Sequence, residues 1–162
     1  MDALSEKEAQ RLLRLEALDV LGASDPTLEL FATATAEFTS FPAAAVIFVD
    51  DIYAYAKAAY GIPGDWRVPR AQSIAAVVVD TSAPFQDEDL FRSPHFKTHP
   101  LVVDAGIRSA AGAPLVLHDG TIPGALLIFD REPRHFSAES IKRLKLMSAL
   151  AAGLLEQRTY IP

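Results

Sequence analysis

Residues 107–130, I-R-S-A-A-G-A-P-L-V-L-H-D-G-T-I-P-G-A-L-L-I-F-D, contain two apolar segments separated by a turn sequence. The segments are Ala110–Leu117 and Ala125–Phe129, and the turn is centred on Asp119-Gly120. Asp-Gly between β-type segments indicates a hairpin, because glycine adopts the positive φ that tight turns need. Both segments are nearly continuous in small and apolar residues, so we expect both faces of the hairpin to be covered. The stretch therefore predicts the centre of a sheet.

The composition is that of a globular domain and excludes several kinds of chemistry. The chain has 162 residues, 50% hydrophobic and 22% charged, which suits one domain with a sizeable core. The formal net charge of −6 argues against a nucleic-acid partner, because phosphate binding requires a surface rich in Lys and Arg. The absence of cysteine removes disulfides, thiolate catalysis, cysteine-ligated metals and thioether-linked cofactors.

Nothing in the sequence indicates export or a membrane partner. The first ten residues lack the apolar segment of a signal peptide, and the longest uncharged apolar segments fall far short of the roughly 20 residues that span a bilayer. No block of like charge suggests a membrane-binding patch. We therefore expect a cytoplasmic protein or domain.

Three helices are predicted, two at the start of the chain and one at its end. Ser5-Glu6-Lys7-Glu8 has the spacing of a capping box and begins an apolar repeat that we expect to stop at Gly22. Asp25-Pro26 provides an N-cap and a first-turn proline for the second helix. Ser137 caps the last helix, Ala138–Arg158, whose apolar surface is wider than one docking face requires.

A second hairpin is predicted after the second helix. Ala43–Val49 has the pattern of a buried strand, and Tyr53–Tyr60 alternates in side-chain size like its partner. Regular alternation places Tyr53 and Tyr55 on one face and Tyr60 on the other. Trp66–Gln72 is predicted to be an irregular loop.

A short helix, a short strand and a long loop are predicted between the two hairpins. Ser73 is a cap for a helix over 74–80, and Pro84–Asp87 has the pattern of a strand. Asp89–Gly106 is expected to be irregular, with a helical turn around Phe91–Phe96, and to be anchored by its own apolar residues. Such loops are frequently lids or binding segments. The order of elements predicts an antiparallel sheet with helices for both faces.

Several stretches match the pattern of a known family. The chain resembles the bacterial signalling-type subgroup of GAF domains, with the motifs I-R-x-x-A-G-A-P-L and D-G-x-x-x-G-x-L-x-x-x-D, over nearly its whole length. The downstream matches are Pro84–Val102, Ile107–Leu115, Asp119–Asp130 and Arg131–Ser137. The upstream matches are Arg11–Leu18, Asp25-Pro26, Phe48-Val49-Asp50, Lys57, Pro69-Arg70 and Ser73.

The resemblance implies an α/β (α+β) fold of GAF/PAS type. The expected architecture is a six-stranded antiparallel sheet with helices on both faces and with the N- and C-terminal helices packed together. One GAF domain would cover 1–162, with a first helix at 1–22, a sheet and pocket core at 25–136 and a C-terminal signalling helix at 137–160. GAF domains bind cyclic nucleotides, bilins, haem or small metabolites between the sheet and a connection that corresponds here to 88–106.

Several positions depart from the subgroup pattern and remove polar or reactive groups. The subgroup's S-F-C-x-H is replaced by Ser73-Ile74-Ala75-Ala76-Val77, an aromatic pair by Ser109-Ala110, and a further cysteine by Leu127. The segment D-P-R-F-x-x-N is replaced by residues 93–99, S-P-H-F-K-T-H. These departures predict a more apolar cavity with fewer groups to hold a ligand. The missing cysteines exclude a covalently attached bilin, and the ligand is not predicted.

The resemblance and the strand pattern give a set of candidate pocket residues. Arg108 has two roles open, since it can hold a carboxylate or phosphate of a ligand or pair with an acidic residue of 87–89. Lys57 can face the pocket or the solvent, and the tyrosines can supply hydroxyls or packing. The predicted pocket residues are Phe48, Tyr55, Lys57, Ala75, Val79, Asp87, Phe96, Arg108, Ala110 and Leu127.

No metal site and no catalytic group are predicted. His95 and His99 have the four-residue spacing of two ligands on one helix, which invites a haem or metal interpretation. Prolines bracket them in a predicted loop, and His118 lies at the hairpin turn. The acidic run Asp87-Glu88-Asp89 can serve as acid, base or cation ligand, or form a solvated loop face, which we favour. The sequence contains no G-x-S-x-G and no P-loop.

Three functions from different classes are considered. The first is a small-molecule sensor that forms a homodimer and passes a signal to an output domain or partner. The second is a GAF domain without ligand that acts only as a dimerisation scaffold. The third is an enzyme like the GAF-type free methionine sulfoxide reductases, which the absence of cysteine disfavours.

The first and last helices are the predicted dimer interface, because the last helix has a second apolar stripe to cover. The alternative is that these two helices cover each other within one monomer. The residues expected to line the dimer are Leu4, Arg11, Leu12, Leu15, Ile141, Leu144, Ser148, Ala151 and Leu155.

Overall fold

One antiparallel sheet of six strands organises the chain. The computed structural model describes residues 3–20, 25–64 and 66–158. The strands are β1 (Ala43–Val49), β2 (Tyr53–Tyr60), β3 (Arg67–Pro69), β4 (Phe85–Asp87), β5 (Ser109–Pro114) and β6 (Gly124–Asp130). The helices are α1 (Ala3–Leu18), α2 (Pro26–Thr39), α3 (Ile74–Thr81), α4 (Pro100–Val103) and α5 (Ala138–Arg158).

The sheet order is β3-β2-β1-β6-β5-β4, so β1 and β6 lie in the middle. The predicted hairpin of 107–130 is confirmed as β5 and β6, with Gly120 in the turn at φ +87° and its N–H donating to the Leu117 carbonyl at 2.9 Å. Its strand β6 pairs along its length with β1, which explains why neither strand alternates with polar residues. The predicted loop over Trp66–Gln72 is wrong in part, because Arg67–Pro69 pairs with the start of β2.

The sheet separates two apolar cores. On one face, α1, α2 and α5 form the first core with residues such as Leu28, Phe48 and Leu144. On the other face, α3 and the segment 90–107 form the second core with residues such as Val79 and Phe129. The predicted helices on both faces, and the packing of α1 with α5 in one core, are confirmed.

A β-bulge at Lys57 changes which face the end of β2 presents. Val46 pairs with Ala58 and Ile47 pairs with Ala56, so Lys57 is the extra residue of β2 at this point in the register. An extra residue reverses the inside–outside alternation beyond it. Tyr60 therefore lies on the same face as Tyr55, and the prediction that it lies on the opposite face is wrong.

Helix ends follow the sequence signals in the middle of the chain better than at its start. Asp25 accepts a hydrogen bond from the Leu28 N–H at 3.1 Å, and Ser73 accepts one from the Ala76 N–H at 3.2 Å, as predicted for N-caps. The capping box at Ser5 is wrong, since α1 already includes Ala3. That helix ends at Leu18, because Asp19 adopts a left-handed φ of 51°, and the stop predicted at Gly22 falls outside the described residues.

The segment from Asp89 to Gly106 is more ordered than predicted. It contains a 3-10 turn at Leu90–Arg92 and the single turn of α4. Its buried side chains are Leu90, Phe96, His99, Leu101 and Val102. These anchor the segment on the second core, so the sheet is covered there by a packed structure.

Two glycines of the family motifs permit close approach of backbones and side chains. A Cβ on Gly124 would lie 2.1 Å from the Ile47 carbonyl oxygen, and one on Gly112 would lie 3.2 Å from Val78 of α3. Neither glycine has a positive φ, so space and not conformation selects them. Within the described residues, no helix is long and apolar enough to cross a membrane.

Candidate functional site

The face of the sheet on which the pocket was predicted is filled by side chains. Five predicted pocket residues meet there in the second core: Ala75 and Val79 of α3, Ala110 of β5, Leu127 of β6 and Phe96. Phe96 belongs to the segment Asp89–Gly106, called the covering segment below. None of the five is more than 6% exposed. Phe96 packs edge-on against Phe85, with ring centroids 5.6 Å apart. The family's pocket position is therefore an apolar contact in this chain.

Two predicted pocket residues lie on the opposite face of the sheet. Phe48 pairs with Tyr55 across β1 and β2, and Phe48 belongs to the first core. Side chains of paired residues point to the same face, so both are directed toward the helices α1, α2 and α5. The residues of β1 that face the pocket position are Ile47 and Val49. The prediction that Phe48 and Tyr55 line the pocket is therefore wrong, because in each strand it is the adjacent residue that faces the pocket position.

Asp87 and Lys57 are at the margins of this face. Asp87 pairs with Ala110 and is half-buried, and its Oδ1 accepts a hydrogen bond from the Asp89 N–H at 2.9 Å. Lys57 is the bulge residue between Ala56, which faces the second core, and Ala58, which faces the first. Neither residue is part of the apolar contact around Phe96.

Arg108 forms an ion pair within the protein. Its Nε and Nη2 donate to the two carboxylate oxygens of Asp89, each at 3.1 Å. The guanidinium also lies 5.0 Å from the centroid of the Phe91 ring. Of the two roles left open by the sequence, the structure shows the pairing with an acidic residue of 87–89. Bidentate geometry of this kind fixes the covering segment to the start of β5.

The histidines do not form a metal site. His95 is exposed and His99 is buried, so their spacing does not place them side by side. His118 pairs instead with Glu156, and His135 with Glu88. No group of three or more histidine and acidic residues within the described ranges has the arrangement to hold a metal ion.

A contact between the rings of His99 and Trp66 was missed by the sequence analysis. Burial lowers the pKa of His99 to about 4, and its Nδ1 accepts a hydrogen bond from the Leu101 N–H at 3.1 Å, so the neutral ring carries its proton on Nε2. Trp66 lies edge-on to it at 6.1 Å between centroids. The buried Trp66 Nε1 has no hydrogen-bond partner among the described residues. A single tryptophan after Gly-Ile-Pro-Gly was the only signal available.

An ionic network at one end of the sheet was also missed. Glu8 of α1 accepts two hydrogen bonds from Arg11 and one from Arg70, and Arg70 also donates to Asp80 of α3. These arginines lower the pKa of Glu8 to about 2, and the two acids raise the pKa of Arg70 against the effect of burial. The network borders a cleft of about 510 Å³ between α1, α3 and the turn at Gly120.

The outward surface of α5 carries an apolar stripe, but not the one predicted. Of the residues expected to line a dimer, Arg11, Leu15, Leu144, Ser148, Ala151 and Leu155 are buried within the chain itself. Leu12 and Ile141 are half-buried, and the side chain of Leu4 is outside the described part. The exposed leucines of α5 are Leu146, Leu150 and Leu154, at 50%, 60% and 37% exposure. The correction follows from helix geometry, because the stripe that covers the sheet cannot also face a partner.

The comparison with known families agrees with this architecture. The family model of the GAF domain matches residues 25–156. The chain belongs to the GAF domain family. It is also 33% identical over 138 residues to a cyclic di-GMP phosphodiesterase of Pseudomonas aeruginosa, an alignment that covers 83% of this chain. The chain spans only 23% of the length of that relative.

Solved structures show the same fold at low sequence identity. A GAF domain from a phosphoenolpyruvate-protein phosphotransferase of Coxiella burnetii matches with a TM-score of 0.71 and 18% identity, covering 94% of each chain. The corresponding Acinetobacter domain gives a TM-score of 0.72 and 14% identity, covering 100% of this chain and 98% of the other. A type II free methionine-R-sulfoxide reductase of Thermoplasma acidophilum gives 0.66 and 14%, covering 93% and 96%.

Proposed function

We propose that the chain is a non-catalytic regulatory GAF module that associates with a second copy of itself through the outward stripe of α5. The observation that carries the proposal is the row of exposed leucines at 146, 150 and 154 on a helix whose other side is already buried in the first core. Its relative among cyclic di-GMP phosphodiesterases supports a role in signalling.

The geometry of the stripe suits a helix–helix contact. Leu146, Leu150 and Leu154 recur every four residues and so form one row, and the exposed Ala149 and Gly153 beside them allow a second helix to approach closely. Burying an exposed leucine contributes about 1.5–3 kcal/mol at most. Leu13 of α1, 67% exposed, adds a further apolar side chain on the same layer.

The test compares the oligomeric state of three proteins. Sedimentation equilibrium at about 100 µM is expected to give twice the 17.5 kDa chain mass for the wild type and the monomer mass for Leu150→Asp. Val103→Asp is the matched control, because Val103 is 65% exposed but belongs to α4 on the other face of the sheet. A monomeric wild type, or a dimer that survives Leu150→Asp, contradicts the proposal.

Sensing of a small molecule is the second candidate, and the unpartnered Trp66 Nε1 supports it. A ligand oxygen could accept from this N–H and from Nε2–H of His99, which removes the cost of a buried donor without a partner. The pocket position is filled in this structure, so binding would require the segment 90–103 to move.

Trp66 is the only tryptophan of the chain, so its fluorescence reports on this position. The protein is titrated with cyclic AMP, cyclic GMP and cyclic di-GMP. We expect at least one of them to shift the Trp66 emission and to raise Tm, and we expect the rise in Tm to be lost in Trp66→Phe. Unchanged emission and Tm with all three compounds contradict cyclic-nucleotide sensing and leave the scaffold function.

Catalysis by a reductase mechanism is not proposed, although reductases share the fold. The chain has no cysteine, and thiol-based reduction requires a thiolate nucleophile. The phosphodiesterase activity in the name of the relative belongs to a protein of which this chain matches less than a quarter.

A further inference from the structure

The ionic network at the end of the sheet connects elements that lie on opposite faces. α1 belongs to the first core, and α3 covers the second core, so the sheet stands between them. Arg70, just before α3, and Glu8, on α1, meet beyond the ends of β1 and β2. The network therefore links the position of α1 on one face of the sheet to the position of α3 on the other.

Arg11 attaches α1 to the sheet end. Its side chain is buried, its Nη1 donates to the carbonyl of Val49 at 2.7 Å and of Ile122 at 3.3 Å, and its Nε and Nη2 hold the Glu8 carboxylate at 2.9 Å. A buried guanidinium needs this complete set of acceptors. Glu8 is thereby held in position for a second arginine.

Arg70 joins this arrangement to α3. Its Nη1 donates to Glu8 and, at 3.0 Å, to the Asp50 carbonyl, and its Nη2 donates to the Asp80 carboxylate at 2.8 Å. Asp80 lies in the last turn of α3, while Ala75 and Val79 of the same helix pack into the second core. The position of Asp80 therefore depends on how closely α3 lies against the sheet.

We propose that Arg70 is a positioning residue that couples α3 to α1, so that displacement of α3 from the sheet weakens the attachment of α1. A small movement of α3 separates Asp80 from Arg70, which then no longer holds Glu8 in the same geometry. Because coupling between two sites is reciprocal, release of α1 also loosens α3. Neither direction requires a bound ligand or a second copy of the chain.

Hydrogen–deuterium exchange of the full chain tests this coupling. Asp80 forms its ion pair with Arg70, which lies outside α1, and its side chain is 58% exposed, so Asp80→Asn should leave the fold intact. We expect amide exchange in α1 to accelerate by about 5-fold, the lower end of typical coupling, while β1 and β6 are unchanged. Glu139→Gln is the matched control, because it removes the exposed ion pair with Arg143 on α5.

The double substitution separates coupling from two independent effects. Arg70→Ala alone is expected to accelerate exchange in α1, and adding Asp80→Asn should accelerate it no further, since Asp80 acts through Arg70. All variants are compared at a protein concentration at which their masses by light scattering agree. Exchange in α1 that is unchanged in Asp80→Asn overturns the proposal, and so do effects of the two substitutions that add.

Discussion

Single residues determine how closely neighbouring strands of this fold can lie. Gly124 of the motif D-G-x-x-x-G has no room for a side chain, because its Cβ would lie 2.1 Å from a carbonyl oxygen of β1. A backbone atom in the middle of the sheet cannot move aside without breaking the β1–β6 pairing. Packing within the sheet therefore accounts for the glycine at this position of the motif.

Gly124→Ala is expected to lower the free energy of unfolding by about 3 kcal/mol, the upper part of the range for overpacking. Urea denaturation measures the change. Gly64→Ala is the control, because the nearest atom to its Cβ is 4.0 Å away, and it should change stability by less than about 0.5 kcal/mol. Equal effects of the two substitutions would refute the steric argument.

Glu8 predicts a dependence of stability on pH. Its pKa falls from 4.5 in the unfolded chain to about 2 in the folded protein, chiefly through hydrogen bonds from Arg11 and then Arg70. Its contribution is complete above about pH 4.5 and is lost as the pH falls toward 2. Urea denaturation at pH 5 and pH 3 should show a smaller loss of stability for Glu8→Gln than for the wild type. Parallel losses in both proteins would contradict this role.

The sequence predicted the ion pair of Arg108 better than it predicted which face of the sheet the side chains of β1 and β2 occupy. A charged residue beside an apolar strand must be paired, so an acidic partner among 87–89 could be foreseen, and Asp89 provides it. Phe48 and Tyr55 were placed on the wrong face because β1 is buried on both sides and its sequence does not alternate. The bulge at Lys57 also reverses the alternation of side chains in the rest of β2, which a sequence pattern does not reveal.

At the scale of elements, α5 shows what an apolar pattern can and cannot indicate. Its length, cap and breadth of apolar surface were predicted correctly from the sequence. Two apolar stripes run along it, and the sequence alone does not state which of them covers the sheet. The structure resolves this, with Leu144, Met147, Ala151 and Leu155 inward.

The two stripes predict different consequences for the same substitution. Leu144→Ala, at a residue 1% exposed, should lower the free energy of unfolding by about 2–5 kcal/mol. Leu150→Ala, at a residue 60% exposed, should change monomer stability by less than about 0.5 kcal/mol. Thermal or urea unfolding at low micromolar concentration gives both values. A larger cost for Leu150 than for Leu144 would show that the stripes are assigned the wrong way round.

For the whole molecule, the two faces of the sheet differ in what they present to the surroundings. The face predicted to bind a ligand is closed by Phe96 and its neighbours, whereas the helical face presents the outward stripe of α5. Fold and family followed from the hairpin motifs, because these motifs fix strand pairing and close contacts. The filled pocket did not follow from them, because it depends on how residues distant in sequence pack together.

The most direct test of the central claim, association through the outward stripe of α5, uses the absence of cysteine in the chain. Leu150 is the middle residue of the stripe, so two stripes that face each other bring Leu150 close to its copy in either direction of the helices. Mild oxidation of Leu150→Cys is predicted to give a covalent dimer of twice the 17.5 kDa chain mass on a denaturing gel, and Val103→Cys to give no covalent dimer. No covalent dimer from Leu150→Cys, or equal dimer from both variants, would contradict the account.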